Sequence, residues 1–375
     1  MDECVRVLDH MPERNPTDGT FELTIRCNLH CKMCLFRHDD SENPELMAKE
    51  LTAEQWIDMA RQVAEAGTLS LLITGGEPML RPDFCEIWEG IYKQGFVITL
   101  YTNATLVTPK ILETLRKYPP HRIGVTIYGA SPETYEKVTG SAAAYQKMLE
   151  GTHALLSLPS IVEFRSTVIK DNYADMSAME SLVRDLSDSE AILTESRIVF
   201  PSVRGGCADA LSCRLDPKEN IELYFRRVRK KMSEDILSSG KDPKDYSFKI
   251  IQKKEHPLPS GKYKYSLFGC EAGMSSYAVT YNGHLIPCQL LGSFQKDIST
   301  SGFIKAWDAL PWAVQIPHLC NKCVSCDLID YCAACPASRY AESGDLGGYS
   351  DYLCEDAKEF RKYTELRSVQ KEETS

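Results

Sequence analysis

Between residues 20 and 200, short apolar runs alternate with amphipathic stretches of helix length. This alternation constrains the fold of the 375-residue chain more than any other feature. Strands are expected over Phe21–Ile25, Leu69–Ile73, Val97–Tyr101, Ile123–Ile127, Val162–Ile169 and Thr194–Phe200. Helices are expected between them over Thr52–Ala66, Pro82–Gln94, Pro109–Lys117, Ala144–Leu158 and Ala174–Leu186. Thr52 followed by Gln55 has the spacing of a capping box. Strands separated by helices pair in parallel through crossovers, so six β/α units curl into a barrel or part of one. In such folds ligands sit at the C-terminal ends of the strands.

Two motifs fall at those ends. Cys27, Cys31 and Cys34, spaced C-x3-C-x2-C, follow the first strand. Three thiolates in one loop hold three irons of a [4Fe–4S] cube and leave the fourth iron open to bind a small molecule. Zinc is the alternative, with His30 or His38 as a fourth ligand. The second strand runs into Thr74-Gly75-Gly76-Glu77-Pro78. Its glycines let backbone approach a ligand closely, and Glu77 offers an acceptor for an ammonium group.

Taken together, the cysteine loop and the Gly-Gly-Glu-Pro turn resemble the radical S-adenosylmethionine (SAM) superfamily. The resemblance implies that the open iron chelates the amino nitrogen and carboxylate of SAM. The reduced cluster then splits SAM into methionine and a 5′-deoxyadenosyl radical that abstracts hydrogen from an unactivated C–H bond. It further implies that Gly75, Gly76 and Glu77 meet the methionine amine. Asn103, in Tyr101-Thr102-Asn103, ends the third strand, where polar groups face a ligand; a strand-end turn is the alternative. Thr126, in the segment Val125–Pro132, matches a family position that contacts ribose or carboxylate. Lys137 and Arg165 are candidates to face the SAM carboxylate, and Asn172 the ribose. Where relatives carry an aromatic residue before the third cysteine, this chain has Met33, a soft apolar substitute.

After residue 265 the composition changes. Eight of the 15 cysteines appear here: Cys270, Cys288, Cys320, Cys323, Cys326, Cys332, Cys335 and Cys354. Cys270 and Cys288 bracket an expected hairpin, Tyr277–Ile286, turning at Asn282-Gly283. The pattern resembles the SPASM extension of radical SAM enzymes, which carries auxiliary [4Fe–4S] clusters; a zinc ribbon is the alternative. The resemblance assigns one cluster to Cys323, Cys326, Cys332 and Cys354. It assigns a second to Cys270, Cys288 and Cys335, with Cys320 as fourth ligand or an open iron there. Two residues separate Cys332 from Cys335 where relatives have three, which bears on the role of Cys335. Cys85 reads as a buried small apolar residue. Cys207 and Cys213 read as loop thiols, or as hydrogen-atom donors of an epimerase.

The expected architecture is a partial (β/α)6 TIM-like barrel followed by a small cysteine-rich α+β SPASM domain. Its divisions are an N-terminal segment (1–20), the barrel (21–200), a bridge (201–265), the auxiliary-cluster domain (266–356) and a charged tail (357–375). A net charge of −10 provides no basic footprint for nucleic acid. No signal peptide or membrane-length apolar run is present, so a cytoplasmic enzyme without membrane or nucleic-acid partners is expected. Many cysteines in such a chain point to metal or redox sites and not to disulfides.

Three [4Fe–4S] clusters and SAM are the implied cofactors, with flavodoxin or ferredoxin as reductant. The leading expectation is oxidative maturation of a ribosomally made peptide or protein, by a thioether or C–C crosslink. With 26 residues before Cys27, a fused leader-binding domain is not expected, and a separate recognition protein is. Formylglycine formation, peptide epimerisation, haem-pathway decarboxylation and a metal-binding adaptor without turnover are the alternatives.

Overall fold

In a computed structural model of the chain, the described residues are 14–36, 44–187, 192–205, 210–239, 270–310 and 320–372. Their packing divides into two compact units. One holds the described residues up to Arg214 together with 270–310; the other holds Leu215 to 239 together with 320–372.

The first unit is built on one sheet. Six strands, β1 (Asp18–Glu22), β2 (Ser70–Thr74), β3 (Val97–Thr102), β4 (Arg122–Thr126), β5 (Ile161–Thr167) and β6 (Leu193–Ser196), are parallel and adjacent in chain order. Helices Ala53–Glu65, Phe84–Tyr92, Pro109–Lys117, Ala143–Leu156 and Met176–Ser187 make the crossovers. This is the partial barrel expected from the alternation. The capping box forms as well: Thr52 accepts from the Gln55 N–H while the Gln55 side chain accepts from the Thr52 N–H.

Period-two alternation divides the strand residues between core and cavity. Leu71 and Ile73 are buried, whereas Leu72 and Thr74 line the cavity described below. The core is aromatic where helices meet the sheet: Phe21 packs on Trp56 with ring centroids 5.0 Å apart, and Phe84 on Trp88 at 5.7 Å. Each such buried ring contributes roughly 1.5–3 kcal/mol of burial, so helix and strand are fixed before any ligand is considered.

The expected hairpin exists as β7 (Ser276–Val279) and β8 (His284–Ile286), followed by β9 (Lys296–Asp297). Its place differs from the expectation. β7 pairs in parallel with β1, Phe21 opposite Val279, so the hairpin extends the barrel sheet to the order β6-β5-β4-β3-β2-β1-β7-β8-β9. Asp18–Phe21 would otherwise present an unpaired edge. β5 stops at Thr167, short of Ile169. There Asn172 accepts from the Ile169 N–H and donates to the carbonyls of Thr167 and Tyr128, turning the chain into a short helix. Asn172 is thus a fully buried cap and not a ribose contact.

In the second unit, helix Pro217–Ser239 packs against helix Asp351–Glu372. Phe225 stacks on Tyr363, with centroids 4.1 Å apart and planes 12° from parallel, and Phe360 abuts both Tyr224 and Phe225. Asn220 donates to Asp356 beneath them. The expected bridge therefore contributes a packed helix. The expected tail continues the helix that carries Cys354. No helix among the described residues is long and apolar enough to cross a membrane.

Candidate active site

A cavity of about 550 Å³ opens at the C-terminal ends of β1 to β6, within the range typical of cofactor sites. Cys27, Cys31 and Cys34 line it, with Gly75, Gly76, Asn103, Thr126 and Arg165. The structure thus brings together eight of the residues expected there.

The cysteine loop is held by backbone. Gly76 N–H donates to Thr24 O at 2.8 Å and Glu77 N–H to Arg26 O at 2.9 Å. A Cβ on Gly76 would lie 2.1 Å from Arg26 O, and Gly75 adopts φ +141° with Thr24 O 2.5 Å from its would-be Cβ. The two glycines therefore admit the cysteine loop itself as well as facing the cavity. A buried charge network braces the other side. Glu50 accepts from the Thr24 hydroxyl and from Arg26 Nη2 at 2.8 Å, while Arg81 donates to the carbonyls of Leu23 and Leu51, both at 2.9 Å. Sequence reasoning missed this network, because Glu50 lies far from every motif and nothing local marks its partners.

Glu77 corrects an expectation. Its carboxylate is fully buried and is not part of the cavity lining. It accepts from Asn103 N–H (2.8 Å), Met79 N–H (3.1 Å) and the Thr102 hydroxyl (2.9 Å). Burial raises its pKa to about 7 against the opposing pull of these donors. Glu77 thus ties the end of β2 to the end of β3 and does not present an acceptor to a ligand. Asn103 faces the cavity but is largely engaged by the loop: its Nδ2 lies 3.0 Å from Asn28 Oδ1 and 3.9 Å from Cys27 Sγ, and its Oδ1 accepts from Thr105.

Arg165 points inward. Its guanidinium lies 4.0 Å from the centroid of the Tyr101 ring, and burial lowers its pKa. Gly124, on the strand between, leaves room for the stack, since a Cβ there would lie 2.6 Å from Tyr101 and 3.2 Å from Arg165. Lys137 is a correction: it sits on the exposed side of helix Pro132–Thr139, outside the lining. Met33 is buried and lines the cavity as expected of an apolar substitute. Cys213 is buried with its thiol on Ala210 O at 3.2 Å and does not reach the cavity. Cys85 is half-buried on its helix, not buried as expected. Cys207 and His38 lie outside the described residues.

The three thiols suit an iron–sulfur core. Burial raises the Cys27 pKa to about 12, with Glu77 and Cys34 adding to the shift. Cys31 is also raised well above the ordinary thiol range, by burial and then by the charges of Cys27 and Cys34, while the Tyr128 hydroxyl opposes the shift with a hydrogen bond to its sulfur. Three thiolates so crowded repel one another unless a cationic centre binds them together. Tyr128 was not singled out from sequence; its place directly after β4 was the available signal.

Residues 21–183 match the family model described as the Radical SAM superfamily. These residues form a radical SAM domain. Relatives of known name extend the similarity over most of the chain. An AdoMet-dependent heme synthase of Methanosarcina barkeri is 28% identical over 334 residues, covering 87% of this chain and 92% of its own. The antilisterial bacteriocin subtilosin biosynthesis protein AlbA of Bacillus subtilis is 25% identical, covering 85% of this chain and 67% of its own. Among solved structures, Streptococcus suis SuiB bound to S-adenosylmethionine superposes with a TM-score of 0.66 at 15% identity. That match covers 94% of this chain and 80% of SuiB, and it shows the shared fold.

This radical SAM enzyme has a second cysteine group in its other compact unit. Cys323, Cys326, Cys332 and Cys354 line one apolar cavity with Leu328, Ile329 and Leu353. Four thiols facing one closed apolar space, with the Arg339 guanidinium beside them, are a donor set that fits an iron–sulfur cube. No three His, Cys, Asp or Glu side chains among the described residues converge on a single-ion site. Cys320 Sγ lies 3.5 Å from Cys323 Sγ, and Cys335 caps helix Pro336–Ser343 by accepting from Ser338 N–H at 3.4 Å. Cys270 and Cys288 belong to the barrel-bearing unit, whereas Cys320 and Cys335 belong to the other.

Proposed function

We propose that this radical SAM enzyme oxidatively modifies a ribosomally made peptide or protein, forming a crosslink such as a thioether or a C–C bond. The observation that carries this reading is the character of the cavity lining. Beyond the cysteine loop it is mostly apolar and neutral-polar, with Thr126, Ser166, Thr167, Ser196 and Gln289; among the described lining residues Arg165 is the one cation and Glu195 the one acid. Neutral donors and acceptors suit peptide amides. A substrate bearing several carboxylates calls for several cations.

Bound cluster and SAM supply hydrogen abstraction from unactivated C–H bonds. In the proposed arrangement Cys27, Cys31 and Cys34 hold the catalytic cluster, and Gly75 and Gly76 present backbone to the methionine amine. Arg165 faces the SAM carboxylate, and Thr126 the ribose or the carboxylate. Cys323, Cys326, Cys332 and Cys354 would hold an auxiliary cluster, which would supply an electron acceptor. Flavodoxin or ferredoxin supplies electrons, and a separate protein presents the leader peptide. AlbA, by its name a bacteriocin biosynthesis protein, and the solved complex of SuiB with its precursor peptide SuiA support the substrate class.

A second reading, decarboxylation in haem synthesis, is favoured by the M. barkeri relative. Product mass separates the two. Reconstituted enzyme, SAM and dithionite are incubated with precursor peptides encoded beside the gene and, separately, with an iron porphyrin carrying propionates. Loss of two hydrogens from a peptide supports the first reading. Loss of carbon dioxide together with two hydrogens per propionate from the macrocycle, with the peptides unchanged, establishes the second in its place.

A further inference from the structure

The mechanism outlined above makes no use of Arg339. This residue lies in the first half of helix Pro336–Ser343, is 5% exposed, and lines the four-cysteine cavity. Its Nη1 is 3.0 Å from Cys323 Sγ and 3.0 Å from Gly348 O. Among the described residues it forms no ion pair with a carboxylate. The negative groups that act on it are the sulfurs of Cys323, Cys332 and Cys320. A buried guanidinium is costly without a counter-charge, and here the counter-charge on offer is thiolate sulfur.

We propose that Arg339 sets the reduction potential of the cluster held by Cys323, Cys326, Cys332 and Cys354, keeping that cluster an electron acceptor. The inference rests on the reading that these four cysteines hold a [4Fe–4S] cube. Such a cube with four thiolates carries a net charge of about −2 when oxidised and −3 after taking one electron, [4Fe–4S]²⁺ + e⁻ → [4Fe–4S]⁺. A fixed positive charge against a ligating sulfur stabilises the more negative form and raises the potential. The N–H···S hydrogen bond acts in the same direction. Arg339 is therefore a positioning and tuning residue that touches the cluster's ligand, not the substrate.

The test is a dye-mediated redox titration followed by electron paramagnetic resonance, on reconstituted full-length protein with Cys27, Cys31 and Cys34 replaced by alanine, so that auxiliary signals alone remain. Arg339→Gln, with unchanged iron content, is expected to make one auxiliary signal at least tenfold harder to reduce, about 59 mV lower for a one-electron couple. Arg339→Lys is expected to restore most of the shift. Full iron with an unmoved potential in Arg339→Gln overturns the proposal and leaves Arg339 a tie to Gly348. If Arg339→Gln loses iron, Arg339→Lys decides: iron and potential both retained support the role of charge, while loss of either overturns it. Failure of the underlying cluster reading shows separately. A Cys323→Ala/Cys326→Ala variant with the same iron content as its parent removes the cluster, and the proposal with it.

Discussion

The backbone N–H of Asn103 donates to the buried carboxylate of Glu77 across 2.8 Å, joining the ends of two parallel strands beneath the cysteine loop. The Thr102 hydroxyl and the Met79 N–H complete the set. Gln cannot accept all of these donors, so Glu77→Gln is expected to cost about 1–3 kcal/mol for the donor left unsatisfied. Burial raises the Glu77 pKa from the ordinary 4.5 to about 7 in the folded protein. Between these values the unfolded chain ionises first. The stabilising contribution is therefore complete below about pH 4.5 and is lost as pH rises through about 7. Urea unfolding of the metal-free protein, followed by circular dichroism from pH 4.5 to 7.5, should show this decline in wild type and a flatter profile in Glu77→Gln.

Gly76→Ala should displace the cysteine loop, because the new methyl would meet the Arg26 carbonyl at 2.1 Å. That obstacle is backbone and cannot rotate away. Iron analysis after anaerobic reconstitution is expected to fall by about four per chain, the content of one cube, while the far-ultraviolet spectrum is retained. Full iron content in this variant would show that the loop tolerates the shift.

Tyr128→Phe removes the hydroxyl that hydrogen-bonds to Cys31. A donor to a ligating sulfur favours the reduced cluster, so the variant should titrate lower. The expected drop is about 20–60 mV, equivalent to about 0.5–1.5 kcal/mol for one hydrogen bond. Spectroscopic titration of the catalytic cluster measures it directly.

Arg165 and Lys137 were expected to serve the same end, and the structure separates them. Arg165→Ala should weaken SAM binding roughly 10–100-fold, the loss of a charge-assisted hydrogen bond of about 1.5–3 kcal/mol, with iron content unchanged. Lys137→Ala should leave binding as it is, since its side chain lies on the exposed face of its helix. Equilibrium dialysis with labelled SAM distinguishes the two variants.

The sequence made the barrel legible because its strands and helices repeat with different periods. It made the cysteine loop legible because three thiols after a strand have few other uses. Facing was harder to read. Strand alternation alone does not say whether Arg165 faces cavity or outer layer; the space that Gly124 leaves for its stack on Tyr101 does. Glu77 turned inward because Thr102, Asn103 and Met79 offer it donors from another strand end and from its own turn. Long-range partners of this kind leave no local pattern. The Glu50 network escaped notice for the same reason, and so did the pairing of β7 with β1.

That pairing has a consequence for synthesis. β1, whose end carries Cys27, shares hydrogen bonds with residues 276–279, more than 250 positions later in the chain. Contacts of such sequence separation form late, since the intervening chain must first be closed into a loop. β1 therefore keeps one bare edge until residues 276–279 have left the ribosome. Iron–sulfur assembly on Cys27, Cys31 and Cys34 would then meet its finished cradle only after synthesis has passed the β7–β8 hairpin. The sheet under the cysteine loop is thus completed by strands from opposite sides of a long stretch of chain.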